Sequence, residues 1–422
     1  MALAKGLSPL HVLAAILVVR LVSVFLVRTW FVPDEYWQTL EVAHKQVFGY
    51  GSLTWEWQQG IRSYLYPALI SVLYYVLKLT GLDYPEAVII LPRVFQAIFS
   101  GYADYCFYQW TGYRKWALYL VLTSWFWFYT CSRTLLQTVE TSLLIIALSK
   151  FPFKDGKQSY YSKESFVWLW IAVLSVFIRP TSGPMWAVFG IYNLLTTKEG
   201  RLRLIVRTYV PIMLIAAGAL ISVDSYFYGR WIVTPWEFAK FNVINDFGSF
   251  YGVHPWYWYV SHGLVSVVGV NVLPLILSLV AVLRRPREHT VSMLLLAAVA
   301  VHIAVHSYIS HKELKLLLPV VPLLLYVQQE FVVRWSRKAP KWQLYTFAAM
   351  ILLGNATIAG YFGSIHQRGT LDVMPLVRDA AAERNDTTIL FLMPCHSTPL
   401  YRLVINNNKI NYENLRMNLD LK

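Results

Sequence analysis

Two adjacent carboxylates stand in the stretch Trp30-Phe31-Val32-Pro33-Asp34-Glu35-Tyr36-Trp37-Gln38. A carboxylate beside a reacting hydroxyl can take its proton, which makes Asp34 and Glu35 candidates for general-base work. Pro33 and Asp34 also suit a helix's first turn, where an anion meets the positive end of the helix dipole. Nearby, Leu53-Thr54-Trp55-Glu56-Trp57 and Arg62-Ser63-Tyr64-Leu65-Tyr66-Pro67 add a third carboxylate, a guanidinium and more rings. Sugars stack their C–H faces on aromatic rings while carboxylates accept from their hydroxyls. A phosphate leaving group calls instead for Arg, Lys or His. This stretch holds both kinds of residue.

Two other segments carry similar chemistry. Trp236-Glu237-Phe238-Ala239-Lys240-Phe241-Asn242 leads to Phe250-Tyr251-Gly252-Val253-His254-Pro255-Trp256-Tyr257-Trp258-Tyr259. An interfacial aromatic girdle explains most of those rings, but not Lys240 or His254. His311-Lys312-Glu313-Leu314-Lys315 packs four ionisable groups between two apolar blocks. A solvated salt-bridged turn accounts for them, and so does a cationic grip on a lipid phosphate.

The elements that must position these residues are apolar blocks. The chain has 422 residues, 57% hydrophobic and 14% charged, against about 25% charged in a soluble domain. Blocks lie at roughly 8–27, 63–81, 87–112, 116–131, 137–150 and 165–178, then 184–196, 205–227, 258–283, 290–309, 315–333 and 342–363. Crossing ~30 Å of hydrocarbon takes about 20 helical residues, so the chain is a polytopic membrane protein. The first block is too long and too poorly followed by small residues for a cleaved signal peptide. Arg20, Arg93, Asp104 and Asp224 interrupt blocks, which implies helices packed around a polar interior. Arg93 and Asp104 share a helix face about three turns apart, so each needs a partner on another helix. Cys106, Cys131 and Cys395 are too scattered for a disulfide framework or a metal site.

The net charge of +14 resides in short connectors such as Lys198/Arg201/Arg203/Arg207, Arg284-Arg285-Pro286-Arg287 and Arg334/Arg337/Lys338/Lys341. Under the positive-inside rule these face the cytosol, and they point to topology rather than nucleic acid. A short head with Lys5 is then cytosolic. Segments 29–62, 228–257 and 310–314, and the tail from Phe362, all meet the opposite side. Joining both ends requires a half-span or split span between 63 and 196, with Pro184–Leu195 the candidate. The tail carries the sequon Asn385-Asp386-Thr387, which makes the chain a glycoprotein candidate, whereas the sequon at Asn355 lies inside a span. The domain reading is a transmembrane catalytic unit over 1–363 and a lumenal segment over 364–422.

The ordered motifs resemble the dolichyl-phosphate-mannose-dependent mannosyltransferases of GT-C architecture, in their PIG-B type, which adds the third mannose of the GPI anchor. The resemblance runs from Phe31–Gln38 and Leu53–Trp57 through Ser132-Arg133-Thr134, Ile178-Arg179-Pro180-Thr181 and Lys240-Phe241-Asn242-Val243. It continues with Phe250-Tyr251-Gly252, His254-Pro255-Trp256, Ser310-His311-Lys312-Glu313 and Leu392-Met393-Pro394-Cys395-His396-Ser397-Thr398-Pro399. The family usually has an arginine and an aromatic after His-Lys-Glu, where this chain has Lys315 and Leu316. The likeness stops near Tyr401, and 402–422 is atypical, which implies an alternative or truncated C-terminus.

The resemblance implies an all-α polytopic fold of about 10–12 spanning or half-spanning helices, an endoplasmic-reticulum membrane location and a lumenal site. It implies transfer of mannose from dolichyl phosphate mannose to a GPI glycolipid precursor in α1,2 linkage, with inversion. Alternatives are an α1,2-mannosyltransferase of dolichol-linked oligosaccharide assembly and a catalytically inactive truncated isoform. Asp34 is the expected base, with Glu35 and Glu56 orienting acceptor hydroxyls. Arg62, His311, Lys312 and, more weakly, His254 are expected to neutralise the leaving phosphate, with Trp55 and Glu313 completing the substrate site. No metal or cofactor is expected, because a lipid-phosphate donor does not demand one. A transporter or flippase is the rival class, but no two-fold repeat is visible.

Overall fold

A computed structural model describes residues 8–153, 163–197, 200–383, 389, 391 and 396–403. Lys5, Lys198, the Asn385 sequon, Cys395 and 404–422 lie outside the described residues. Among those described, five helices are long and apolar enough to cross a membrane: Pro9–Leu26, Arg201–Tyr228, Tyr259–Arg284, Thr290–Tyr308 and Lys341–Ala381. Leu65–Thr80 and Val167–Ile178 are shorter apolar helices.

The first helix shows the logic. Ser8 precedes it in extended conformation and Pro9 opens it, where a missing N–H costs nothing. Its outer face carries exposed Leu10, Val18, Val22 and Phe25, while Arg20 is fully buried. Arg20 Nε donates to Asp104 Oδ2 at 2.5 Å, and Trp127 Nε1 donates to Asp104 Oδ1 at 2.8 Å. A charge turned inward to a partner while apolar side chains face out is the arrangement a bilayer imposes. Arg93, on the same helix as Asp104, donates to the Val27 carbonyl at 2.7 Å.

The bundle is built around Leu136–Lys150. That helix is buried on every side from Leu136 to Leu148. It packs between Pro85–Trp110 and Lys163–Ile178, and Pro9–Leu26 lies against Pro85–Trp110. Its Thr141 and Ser142 hydroxyls donate to backbone carbonyls one turn earlier, which satisfies them without a second helix. On the other side, Gly183–Thr196 packs on Thr290–Tyr308, and Val272–Arg284 on Val320–Ser336.

Several helices are broken. Block 116–131 is divided at Ser124 into Lys115–Thr123 and Trp125–Thr130. The Trp125 N–H released by the break donates to Asn355 Oδ1 at 3.1 Å, so Asn355 is buried and occupied structurally. Tyr259–Arg284 bends at Gly269, whose φ is +57° and where a Cβ would meet Trp125 at 2.8 Å. Gly183–Thr196 is a 14-residue helix, about 21 Å long and short of a full crossing. A short span and a split block therefore both occur between 63 and 196.

Segment 29–62 is mostly helical. A π-helical turn at Tyr36–Leu40 runs into Glu41–Phe48, and Trp55–Gln59 follows. Part of the C-terminal segment packs onto it, as Leu371, Met374, Leu400 and Tyr401 share one apolar cluster with Trp30, Tyr36 and Trp37. The Tyr36 and Tyr401 rings stack at 6.1 Å.

Candidate active site

A cavity of about 380 Å³ opens where the first polar segment meets 234–248 and 306–316. Pro33 Cα–C=O caps the turn that starts at Asp34, because the Tyr36 and Trp37 N–H groups both donate to its carbonyl at 3.0 Å. This presents Asp34 to the cavity. The break of Thr290–Tyr308 at Ile309 and the 3₁₀ turn Leu314–Leu317 bring Glu313 and Lys315 to the opposite wall.

Two charged groups of residues line the space. Lys315 Nζ lies 2.7 Å from Asp34 Oδ2 and 2.7 Å from Glu313 Oε2, with His311 Nε2 3.6 Å from the same Glu313 oxygen. Burial alone would raise the Glu313 carboxyl, but Lys315 and His311 outweigh it and hold it down at about 2. Hydrogen bonding to Glu313 in turn raises His311 above the usual imidazole range. In the second group Arg62 reaches Glu56 Oε1 through Nη2 at 2.6 Å and Nε at 3.1 Å, and Gln38 Nε2 donates to Glu56 Oε2 at 3.2 Å. Burial tends to lower Arg62, and Glu56 and Asp34 more than offset that, so the guanidinium stays charged. The Phe238 ring lies 5.6 Å from it. Trp55 stacks obliquely on Phe241 at 4.9 Å.

Asp34, Trp55, Glu56, Arg62, His311 and Glu313 all line this one cavity. Three other candidates do not, and each has a physical reason. Glu35 is buried with its carboxylate 2.6 Å from Arg133 Nη1. Arg133 also donates to the Thr29 carbonyl and sits 4.3 Å from the Tyr129 ring. Glu35 is thus committed to a buried ion pair rather than to an acceptor hydroxyl. Lys312 Nζ donates to the carbonyls of His254 at 2.9 Å and Ile309 at 2.8 Å, which terminates a helix rather than gripping phosphate. His254 is exposed, stacks on Trp258 at 4.9 Å and is not among the cavity residues. The lysine of this turn that lines the cavity is Lys315.

The cavity also holds residues that spacing alone did not single out. Arg179 lines it, paired with buried Glu140 at 3.1 Å. Gln137, one turn before Glu140, and His306 line it too. His396 closes another side: Trp37 Nε1 donates to its carbonyl at 3.2 Å and the two rings meet edge-on at 4.8 Å. Burial lowers the His396 imidazole. Arg179 and His396 stand inside quoted motifs, which was the one available signal. Gln137 and His306 lie in apolar blocks and gave none.

The profile of the Alg9-like mannosyltransferase family matches residues 11–405. The chain belongs to that family. It is similar to "GPI mannosyltransferase 3" of Drosophila melanogaster, with 47% identity covering 98% of this chain and 73% of that one. It is also similar to "GPI alpha-1,2-mannosyltransferase 3" of Danio rerio (40%, covering 93% and 72%) and of Homo sapiens (34%, covering 93% and 70%). Among solved structures, ArnT from Cupriavidus metallidurans bound to undecaprenyl phosphate aligns with a TM-score of 0.58 at 13% identity, covering 93% of this chain and 84% of that one. That likeness establishes the GT-C fold. This family member is therefore a multi-pass membrane glycosyltransferase. Across the cavity, the Asp34–Lys315–Glu313 group joins two carboxylates to one ammonium.

Proposed function

We propose that this chain transfers mannose from dolichyl phosphate mannose to the GPI-anchor precursor, adding the third mannose in α1,2 linkage at the lumenal face of the endoplasmic reticulum. The observation that carries the acceptor assignment is the similarity to GPI mannosyltransferase 3 proteins, up to 47% identical over nearly the whole chain. A β-linked mannosyl phosphate giving an α-linked product requires a single inverting displacement, with one base and no protein nucleophile. Asp34 takes the proton of the acceptor 2-hydroxyl as the oxygen attacks the anomeric carbon. The C–O bond to phosphate breaks, and dolichyl phosphate departs as an anion.

An anionic leaving group is served by fixed cations rather than by an acid. Lys315, Arg62 and His311 are the cations of the cavity best suited to it, and Arg179 is a fourth. Lys315 is engaged by Asp34 and Glu313. An arriving phosphate competes for that ammonium, which loosens its hold on Asp34 and frees the carboxylate to meet the acceptor hydroxyl. Glu56, already oriented by Arg62 and Gln38, has its remaining acceptor capacity for sugar hydroxyls.

Complementation of cells lacking third-mannose transfer tests the reading, with surface GPI-anchored protein as the signal. The chain is expected to restore it and an equally expressed Asp34→Ala form to fail. No restoration by a stably made chain would overturn the acceptor assignment. Activity in a reconstituted assay is expected to survive EDTA, and recovery of a lost activity on adding Mn²⁺ would refute metal independence.

A further inference from the structure

We infer that Gln137 and His306 form a sugar-recognition subsite in the cavity wall, reading the hydroxyls of a hexopyranose ring. The choice of sugar rests on the proposed mannosyl transfer. Gln137 is fully buried, lines the cavity, and has no hydrogen-bond partner at either its amide nitrogen or its amide oxygen. A buried amide left unpaired bears the desolvation cost of both atoms, so its place at a ligand cavity calls for a ligand that pairs it.

His306 makes the same case through its tautomer. Its Nδ1 lies 2.8 Å from the His302 carbonyl, and a carbonyl only accepts, so Nδ1 carries the proton. In the neutral ring Nε2 is then an acceptor, and it too is buried without a partner. Gln38 adds a third group of this kind, since its Nε2 donates to Glu56 while its buried Oε1 accepts from nothing. Two of these three groups can only accept. A phosphate diester has no O–H to donate, so acceptors repel it, whereas a sugar presents hydroxyls that donate and accept. The charged side chains of the cavity are already held in ion pairs. The uncharged, unpaired ones are left for the uncharged part of the ligand.

Both donor and acceptor carry a hexose, and the test separates them. Titration calorimetry on the full chain in detergent would compare polyprenyl phosphate mannose, bare polyprenyl phosphate and methyl α-mannoside. Gln137→Leu and His306→Leu are expected to weaken the mannosyl lipid about 10-fold while changing the bare lipid phosphate less than about 2-fold. His306→Gln, which keeps an acceptor, is expected to recover most of the loss. A loss seen only with the phosphate-free mannoside assigns the subsite to the acceptor's sugar. Variants that bind every ligand as the parent does, or that lose mannosyl and bare lipid alike, overturn the inference. If the parent chain transfers no mannose yet its sugar binding still depends on Gln137, the functional reading falls and the subsite stands.

Discussion

Lys315 Nζ lies 2.7 Å from Asp34 Oδ2, a pairing across 281 residues that joins the first polar segment to the last one before the final spans. The same ammonium holds Glu313 at 2.7 Å. Removing it leaves two carboxylates facing each other across the cavity and takes a cation from the phosphate. Lys315→Met is expected to lower kcat/KM by about 10²-fold or more, with Lys315→Arg retaining most of the activity. A transfer assay in membranes of matched protein content checks this. Near-normal activity in Lys315→Met would remove Lys315 from the site.

Asp34→Asn keeps the shape of the side chain and removes its basicity. The expected loss in kcat is about 10²- to 10⁴-fold, with donor binding close to that of the parent. Single-turnover rates measured beside donor binding separate the two effects, and loss of binding alone would assign Asp34 to orientation.

Lys312 and Lys315 are expected to behave differently although they are three residues apart. Lys312→Met frees the His254 and Ile309 carbonyls that it now binds, so it should lower thermal stability. Its donor KM in the folded fraction should stay within about 3-fold, because a group turned away from the ligand contributes no uniform binding. A selective rise in donor KM would return Lys312 to the phosphate.

Breaking the Glu35–Arg133 pair is expected to be a folding defect. Both side chains are about 1% exposed, and a partner removed from a buried pair leaves a charge worth about 3–5 kcal/mol of instability. Glu35→Gln is expected to sharply reduce the folded yield on size exclusion. A well-folded Glu35→Gln protein with low kcat would instead make Glu35 part of the chemistry.

Glu41 sets a pH dependence. Burial raises its carboxyl to about 8, against the opposing hydrogen bonds from the Tyr401 and Leu400 backbone. The folded state therefore binds the proton more tightly than the unfolded chain, whose carboxyl titrates near 4.5. The resulting stability is fully present below pH 4.5 and is lost as pH rises through 8. Thermal stability is expected to fall between pH 6 and 8.5 and to fall less in Glu41→Gln. Parallel curves for the two proteins would count against this role.

The membrane character, the all-α class and the need for partners of Arg93 and Asp104 were legible in the chain because each depends on local composition. A run of apolar residues must be helical in lipid whatever surrounds it, and a charge inside such a run must find a partner. The motif residues around Asp34, Arg62 and His311-Lys312-Glu313 were legible as well, since few structural roles gather carboxylates, cations and rings at a membrane face. Which of two neighbours turns toward the cavity was not. Asp34 and Glu35 are adjacent in sequence, yet one lines the cavity and the other is buried against Arg133.

By itself, the sequence determined that helices cross a membrane and that three polar segments gather the candidate site residues, because hydropathy and residue type are properties of short stretches. Only the tertiary structure decided that Lys315 rather than Lys312 meets Asp34, and that the Gln137 amide and His306 Nε2 stand unpaired at the cavity. A side chain's direction depends on where its helix breaks and on what another helix presents across the gap, and neither is a property of the residues nearby.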